Sequence, residues 1–488
     1  MPSVQTTTEL WESLLAWLDS QGCPDPSKYV QLVETTAGGG RGLVAKGDIP
    51  PNTTLIKIPN PALLNTKTLR EFYPSHFHTT FSATQWISLH LALQYARHDR
   101  ASSPVDPAPR DKWWPFILTL PRTFPTVPLT WSIGRRSNEE LASAFGIAED
   151  DVSLRERQVD PRLRRWQEEL LERMPPSVRV RAEEVEGRFK KDWEKVQEEW
   201  KKHCEATPEE KDELSFDFFA LGWLNTNTRC VYFDVGGPKV NNLTLAPVID
   251  MINHADGRST KPIQGPVHGL TFASPEARSS DPQLKDGDEL AFSYGAHENP
   301  MLLTEYGFSL PANPYSHVDV TRVLEQLFED AGEEGRLKKG VLQDSQYWGK
   351  MTLQPASDSA TACADWILLL ALRLLHLKLP TGRNPFDTND APSGSLAQAL
   401  GPWYAVVAGD EEIISPLNEA QVQQTIQTIC DVLVLETKEG VPRCEELERK
   451  WRKEEVDPDL RASLVMLKGV WEEEKVIAEA VAAAGRAK

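Results

Sequence analysis

The sequence predicts an α+β protein in which short β-strands are split by a helical insertion and followed by an all-helical domain. Three observations carry this. Short strand-like segments bounded by Gly or Pro recur in two blocks, around residues 30–58 and 231–295. Between the blocks, residues 161–213 are densely charged with mixed signs. After Phe308 the apolar residues fall at helical spacing between Gly and Pro breaks. At 488 residues the chain is too long for one ordinary domain, so two or three are expected.

Leu10, Leu14 and Trp17 share one face of a first helix, and Thr6 and Glu9 stand at capping-box spacing at its start. Val30-Gln31-Leu32-Val33 alternates like a strand, and Thr54-Leu55-Ile56-Lys57-Ile58 is a second, stopped by Pro59. The glycines between them, Gly38-Gly39-Gly40-Arg41-Gly42, allow two readings: a hairpin turn, or a backbone loop that approaches a ligand closely, which only Gly permits. A phosphate loop is not expected, because no Gly-Lys-Ser/Thr follows and the next segment is strand-like. Trp86, Leu89 and Leu93 mark a helix over 84–95, and a Pro-rich loop at 103–109 precedes the cluster Trp113-Trp114-Pro115-Phe116, expected in the core. The charged 161–213 segment predicts one or two long, solvent-washed helices laced with i,i+4 pairs. An apolar helix over 216–224 leads to the strand Val231-Tyr232-Phe233, and Gly269-Leu270-Thr271-Phe272-Ala273 is another. Beyond Phe308, residues 366–375, then Val422, Ile426, Ile429 and Leu433, then Leu460, Leu464, Leu467 and Trp471 hold helical spacing.

The formal charge of −19 argues against a nucleic-acid binder, which needs a basic face, and is compatible with a Lys-rich partner. Six scattered cysteines show no metal-ligand spacing and read as free thiols of a reducing compartment. The N-terminal residues are polar, with no signal-peptide core, and the most apolar run, 366–379, is interrupted by Arg373, His376 and Lys378. A soluble, intracellular protein without membrane spans is expected.

One stretch does not fit plain packing. The apolar segment Pro247-Val248-Ile249-Asp250-Met251-Ile252 ends in Asn253-His254, a polar pair that is costly to bury unless it is hydrogen-bonded. A Gly-marked turn, Asp286-Gly287-Asp288, then leads to Glu289-Leu290-Ala291-Phe292-Ser293-Tyr294-Gly295, and the stretch closes on Tyr306-Gly307-Phe308.

The order Gly40-Arg41-Gly42-Leu43, Thr228-Arg229, Asp250-x-x-Asn253-His254, Glu289-x-x-x-Ser293-Tyr294-Gly295 and Tyr306-Gly307-Phe308 resembles the SET-domain protein methyltransferases. The resemblance is to the subfamily of the Rubisco large-subunit and ribosomal-protein lysine methyltransferases. It covers residues 25–320 by motif and the remainder by architecture, and Trp113-Trp114-Pro115-Phe116 resembles the start of that subfamily's insertion. It implies an N-terminal helix at 1–25, a SET domain at 26–310 with a helical insertion at about 76–218, and a helical substrate-binding domain at 311–488.

The resemblance also implies S-adenosylmethionine as cofactor and a protein bearing a target lysine as partner. By it, Tyr294 is the tyrosine at the junction of cofactor and lysine channel. Asn253 and His254 hydrogen-bond the cofactor, Gly40, Arg41 and Gly42 cup its methionine part, and Arg229 lies near its carboxylate. Tyr306 and Phe308 close the lysine channel, and Phe308 also stacks on adenine. Taken singly these residues allow plainer readings: a strand-end tyrosine, a turn Asn beside a satisfied core His, a surface salt bridge, ordinary aromatic packing. Asp250 is expected to be structural. Methyl transfer to an amine needs no metal; it needs positioning and a neutral amine. A free lysine of pKa near 10.4 is neutral in roughly one molecule in a thousand or fewer at pH 7. A phenol of pKa about 10 is a poor base, which favours orientation and electrostatics for Tyr294.

Two departures are visible. Ala255 follows Asn-His where the family usually has Ser or Cys, and no C-x-C cluster follows Phe308, which weakens a nucleosomal substrate. The expectation is a monomeric protein-lysine methyltransferase acting on a ribosomal or translation protein, cytoplasmic and also nuclear, with no metal, nucleic acid or membrane. Methylation of histidine, or a catalytically inactive SET fold that binds proteins, are the alternatives.

Overall fold

A computed structural model describes residues 6–34, 40–101, 111–147, 151, 153–154, 157–158, 160–207, 210, 213–265, 269–356, 361–379 and 395–486. Gly38, Gly39 and the Pro-rich loop at 103–109 lie outside the described residues. The chain forms two compact units, one of residues 1–314 and 455–463, the other of 315–454 and 464–488.

The first unit opens with the helix Thr7–Ser20, whose Thr6–Glu9 capping box is formed and whose Leu14 and Leu18 are buried. Among the described residues its strands are short and make four small sheets. β1 (Val30–Glu34) pairs antiparallel with β2 (Arg41–Ala45). β3 (Thr54–Ile58) pairs with β9 (Gly269–Ala273), which also carries β8 (Ile263–Gly265). β4 (Leu64–Asn65), β6 (Leu243–Leu245) and β5 (Val231–Tyr232) make a third sheet, and β7 (Asn253–His254) pairs in parallel with β10 (Ala291–Phe292). A Cβ on Gly269 would come within 2.0 Å of the Ile58 carbonyl oxygen, so the β3–β9 crossing requires glycine there.

Most helices of this unit stand between β4 and β5. The helices Ala83–Ala101 and Phe216–Arg229 are joined by Ser88 Oγ donating to Thr226 Oγ1 at 3.2 Å and by Asn225 Nδ2 donating to Tyr95 Oη at 3.3 Å. Trp113, Trp114 and Phe116 are in the core, as their composition predicts. The charged segment corrects its expectation in part. It forms the two helices Pro161–Leu171 and Pro176–Cys204, but the second is not solvent-washed all round. Val185, Phe189, Trp193, Val196 and Trp200 recur at helical spacing and are buried as one stripe. Dense charge on the other faces hides that stripe from a composition-based reading.

Smaller differences concern ends. The 216–224 helix continues to Arg229, and the strand-like stretch at 289–295 shrinks to Ala291–Phe292.

The second unit is helical as its periodicities predict: Val422, Ile426, Ile429 and Leu433 are buried along the helix Pro416–Trp451. It is not all-helical. β11 (Val318–Asp319), β12 (Thr352–Gln354) and β13 (Cys363–Ala364) form one antiparallel sheet. Strands of two or three residues are too short to show an alternation. The Asp365 carboxylate ties sheet to helix, accepting from Thr352 N at 2.8 Å and from Leu368 N at the start of the helix Trp366–Leu375 at 2.7 Å.

Candidate active site

The site is assembled where β7 and β10 run side by side. β10 is reached through Leu290 N donating to Leu43 O at 2.7 Å and an antiparallel bridge between Val44 and Glu289, which brings β2 to the same place. Just before β7 the backbone makes a γ-turn: Val248 adopts φ 67°, ψ −46°, and Ile249 N donates to Pro247 O at 2.8 Å. This conformation is strained for a β-branched residue. Val248 and Ile249 are fully buried, so packing holds the turn.

Asn253 is a hub. Its Nδ2 donates to Glu289 Oε1 at 2.8 Å and to Arg41 O at 3.4 Å, so the Gly40–Gly42 backbone and the Asn-His pair are neighbours. Gly40 has φ 69° with open space where a Cβ would stand. Gly42 is buried within β2, paired with Val33. The Arg41 guanidinium donates to Thr119 O.

His254 accepts on Nδ1 from Tyr294 N at 3.0 Å, so its neutral tautomer carries the proton on Nε2. Burial lowers its pKa first, with His297 adding to the effect and Asp256 opposing it. The ring lies 5.2 Å from Tyr294 and 5.6 Å from Phe308 between centroids. Tyr294 lies 5.1 Å from Tyr306, and Tyr306 lies 6.1 Å from Phe308. The four rings form one cluster. The Tyr294 hydroxyl donates to Ile252 O at 2.9 Å, and burial raises its pKa well above the ordinary phenol range. This phenol stays protonated at physiological pH.

Arg229 ends its helix, where a cation complements the exposed carbonyls. Its NH1 donates to Asp250 O at 2.8 Å and pairs with Asp250 Oδ2 at 3.3 Å. This is no surface salt bridge, because the Asp250 side chain is only 1% exposed. Burial raises the Asp250 pKa, opposed by Arg229 and then Arg41, while burial and then the Arg229 charge lower that of Arg41. Arg229 thus pairs directly with the carboxylate, and the Arg41 charge acts on it from further off. Arg229 Nε and Asp250 Oδ1 are buried without a hydrogen-bond partner, which is what a polar ligand would satisfy.

All the residues singled out by the sequence, Gly40, Arg41, Gly42, Arg229, Asn253, His254, Tyr294, Tyr306 and Phe308, therefore lie within two linked groups, an aromatic one and a charged one. Glu289, which holds Asn253, and the Ile252 carbonyl, which holds Tyr294, are additions. Glu289 stands in the motif that carries the resemblance, without a role of its own there. A backbone carbonyl leaves no signal in the sequence. Among the described residues no group of His, Cys, Asp and Glu could hold a metal ion, and no helix is long and apolar enough to cross a membrane.

Known proteins resemble the chain in both sequence and fold. It is 27% identical over 343 residues, 70% of each chain, to the ribosomal lysine N-methyltransferase set11 of Schizosaccharomyces pombe. It is 24% identical over 453 residues to human SET domain-containing protein 4, covering 91% of this chain and 85% of that one. The crystal structure of the SET domain of LSMT bound to lysine and AdoHcy superposes with a TM-score of 0.58 at 15% identity, over 99% of this chain and 92% of that one. No protein-family model matches. The chain has the SET fold of the Rubisco large-subunit methyltransferase type.

Proposed function

We propose that this chain transfers a methyl group from S-adenosylmethionine to a lysine side chain of a ribosomal or other translation protein, as a monomer in the cytoplasm and nucleus. The domain plan of 1–25, 26–310 with its insertion, and 311–488 belongs to the same reading. The observation that carries it is the Tyr294 hydroxyl, protonated, committed to the Ile252 carbonyl and enclosed by His254, Tyr306 and Phe308.

The residues fit the cofactor. The Gly40–Gly42 backbone with Asn253 would cup its methionine part, and the Arg229 guanidinium, whose Nε has no partner, would meet its carboxylate. His254 and Phe308 supply flat partners for adenine. When bound, the cofactor supplies an electrophilic methyl on a positive sulfonium.

The chain's own part is positioning and desolvation. Because the Tyr294 proton is given to Ile252 O, the phenol oxygen is left as an acceptor for an N–H of the incoming amine. That orients the nitrogen lone pair for in-line attack. The aromatic walls disfavour the charged ammonium and so push the target amine toward its neutral form. A phenol held protonated by burial orients the amine and does not remove its proton.

Label transfer from S-adenosyl-[methyl-³H]methionine into ribosomal proteins of a deletion strain, with the modified residue identified by mass spectrometry, tests this. Methyl-lysine is expected. Methyl-histidine, or undetectable binding of S-adenosylhomocysteine by calorimetry, overturns it.

A further inference from the structure

The helix Asn299–Tyr306 ends in the channel aromatic Tyr306, and side chains from two other helices converge on the residue before it. Arg188, on the insertion helix Pro176–Cys204, donates to Glu305 Oε2 at 2.7 Å. Asn227, two residues before Arg229, donates from Nδ2 to the same Oε2 at 2.9 Å. One helix-length earlier, Arg181 donates to Glu298 Oε1 at 2.7 Å. Both arginines and both glutamates are seven residues apart, about two helical turns, so the insertion helix and the 299–306 helix run parallel in register.

The acceptors are well enclosed: the Glu298 and Glu305 side chains are 8% and 19% exposed. Gly307 then stops the helix at φ 82°, and a Cβ there would come within 2.5 Å of Thr126 Oγ1, so the turn that follows Tyr306 requires glycine. Its ring meets Tyr294 at 5.1 Å.

We propose that Arg188 and Glu305 are positioning residues, through which the insertion helix fixes the Tyr306 wall of the lysine channel. This rests on the methyltransferase reading. A displaced wall misplaces the amine against Tyr294; on the cofactor side it reaches Phe308, two residues on, and leaves Asn253 and His254 held by their own hydrogen bonds. A displacement of about 1 Å at a reacting centre costs on the order of 100-fold in rate.

The experiment uses the full chain as Arg188→Gln, Glu305→Gln, the charge-swapped Arg188→Glu/Glu305→Arg and, as a comparison, Arg181→Gln. Four quantities are read: hydrogen exchange over residues 299–308, the Kd for S-adenosylhomocysteine, and kcat and KM on the ribosomal protein that the wild type labels. In Arg188→Gln and Glu305→Gln, exchange over 299–308 accelerates. Turnover falls about 10- to 100-fold, and cofactor affinity, which shares only Phe308 with the loosened segment, falls several-fold less than turnover. The swapped pair recovers most of the turnover, because Asn227 can turn its amide oxygen toward an arginine. Arg181→Gln, at the far end of the helix, loses several-fold less than Arg188→Gln.

Unchanged exchange over 299–308 overturns the inference whatever the activity. So does a loss of cofactor affinity that keeps step with turnover, which marks a merely structural pair, or a swapped pair no better than the single variants. A wild type that labels nothing overturns the methyltransferase reading instead, and the exchange arm still decides the clamp.

Discussion

Replacing Tyr294 by Phe separates what the hydroxyl does for the fold from what it does for the reaction. The ring keeps its contacts with His254, Phe292 and Tyr306, whose centroids lie 5.2, 5.2 and 5.1 Å away. What is lost is one hydrogen bond of 2.9 Å to the Ile252 carbonyl. Such a bond is worth about 1 kcal/mol net, a shift of roughly 2 °C in the midpoint of a unit this size. Removing a fixed polar group at a reacting centre costs more, about 10²- to 10³-fold in turnover, or about 3–4 kcal/mol. The variant therefore folds, binds S-adenosylhomocysteine and is slow. Turnover measured against pH provides the decisive curve. The neutral amine is the nucleophile, so the wild-type rate rises with pH below the target lysine's pKa. Tyr294, whose pKa burial pushes above its ordinary value, adds no break up to about pH 10. Tyr294→Phe is expected to lower this profile without changing its slope. A flattened slope would make Tyr294 the base, and turnover within two-fold of wild type would remove it from the mechanism; either result refutes the reasoning.

Three further outcomes follow from the same geometry. Asp250→Ala strips Arg229 of its partner in a buried setting and is expected to cost about 3–5 kcal/mol, whereas Asp250→Asn keeps an acceptor and costs less; equal thermal midpoints for the two would refute the pairing. His254 has its pKa lowered in the folded state, so the unfolded chain takes up the proton first. Its contribution to stability is present above the unfolded value of about 6.5 and is lost as pH falls through the folded pKa; a midpoint-versus-pH curve from 7 to 5 should be shallower in His254→Asn. Gly307→Ala forces φ 82° on a residue with a Cβ, at about 1–2 kcal/mol, and drives it against Thr126. Gly47→Ala, at the same φ with open space around it, carries only the backbone cost, and calorimetric midpoints for the two should differ accordingly.

The motifs were legible because each places a polar or glycine residue where packing alone would not. Asn253-His254 ends an apolar run, Tyr294 sits between Ser and Gly, and Gly307 divides two aromatics. The long helical faces were legible for a different reason, since a stripe repeated over three or more turns, as at 422–433, leaves a period to read. What escaped lacks a local signal. Two-residue strands such as β7, β10 and β13 have no alternation. The Trp193 stripe was masked by charges on its neighbours, and the insertion helix registers with the 299–306 helix across more than a hundred residues of chain.

The least readable feature is also the one on which the site's geometry turns. A β-branched valine is among the last residues to suggest a positive φ, yet Val248 adopts one inside a γ-turn. An extended chain through Val248 would carry Ile249, Asp250 and Ile252 onward along the strand, with alternate side chains on alternate faces. The turn, with the single 3₁₀ turn Ile249–Met251 that it starts, breaks that alternation. It lets Asp250 reach back to Arg229 with both its carbonyl and its carboxylate, and leaves the Ile252 carbonyl free to accept from Tyr294. Strain of this kind persists only where the surroundings over-determine it, and here they do: Val248 is fully buried and Asp250 is ion-paired two residues later. The charged group and the aromatic group of the site are thus positioned by one strained turn, which couples the carboxylate beside Arg229 to the carbonyl that holds the Tyr294 proton.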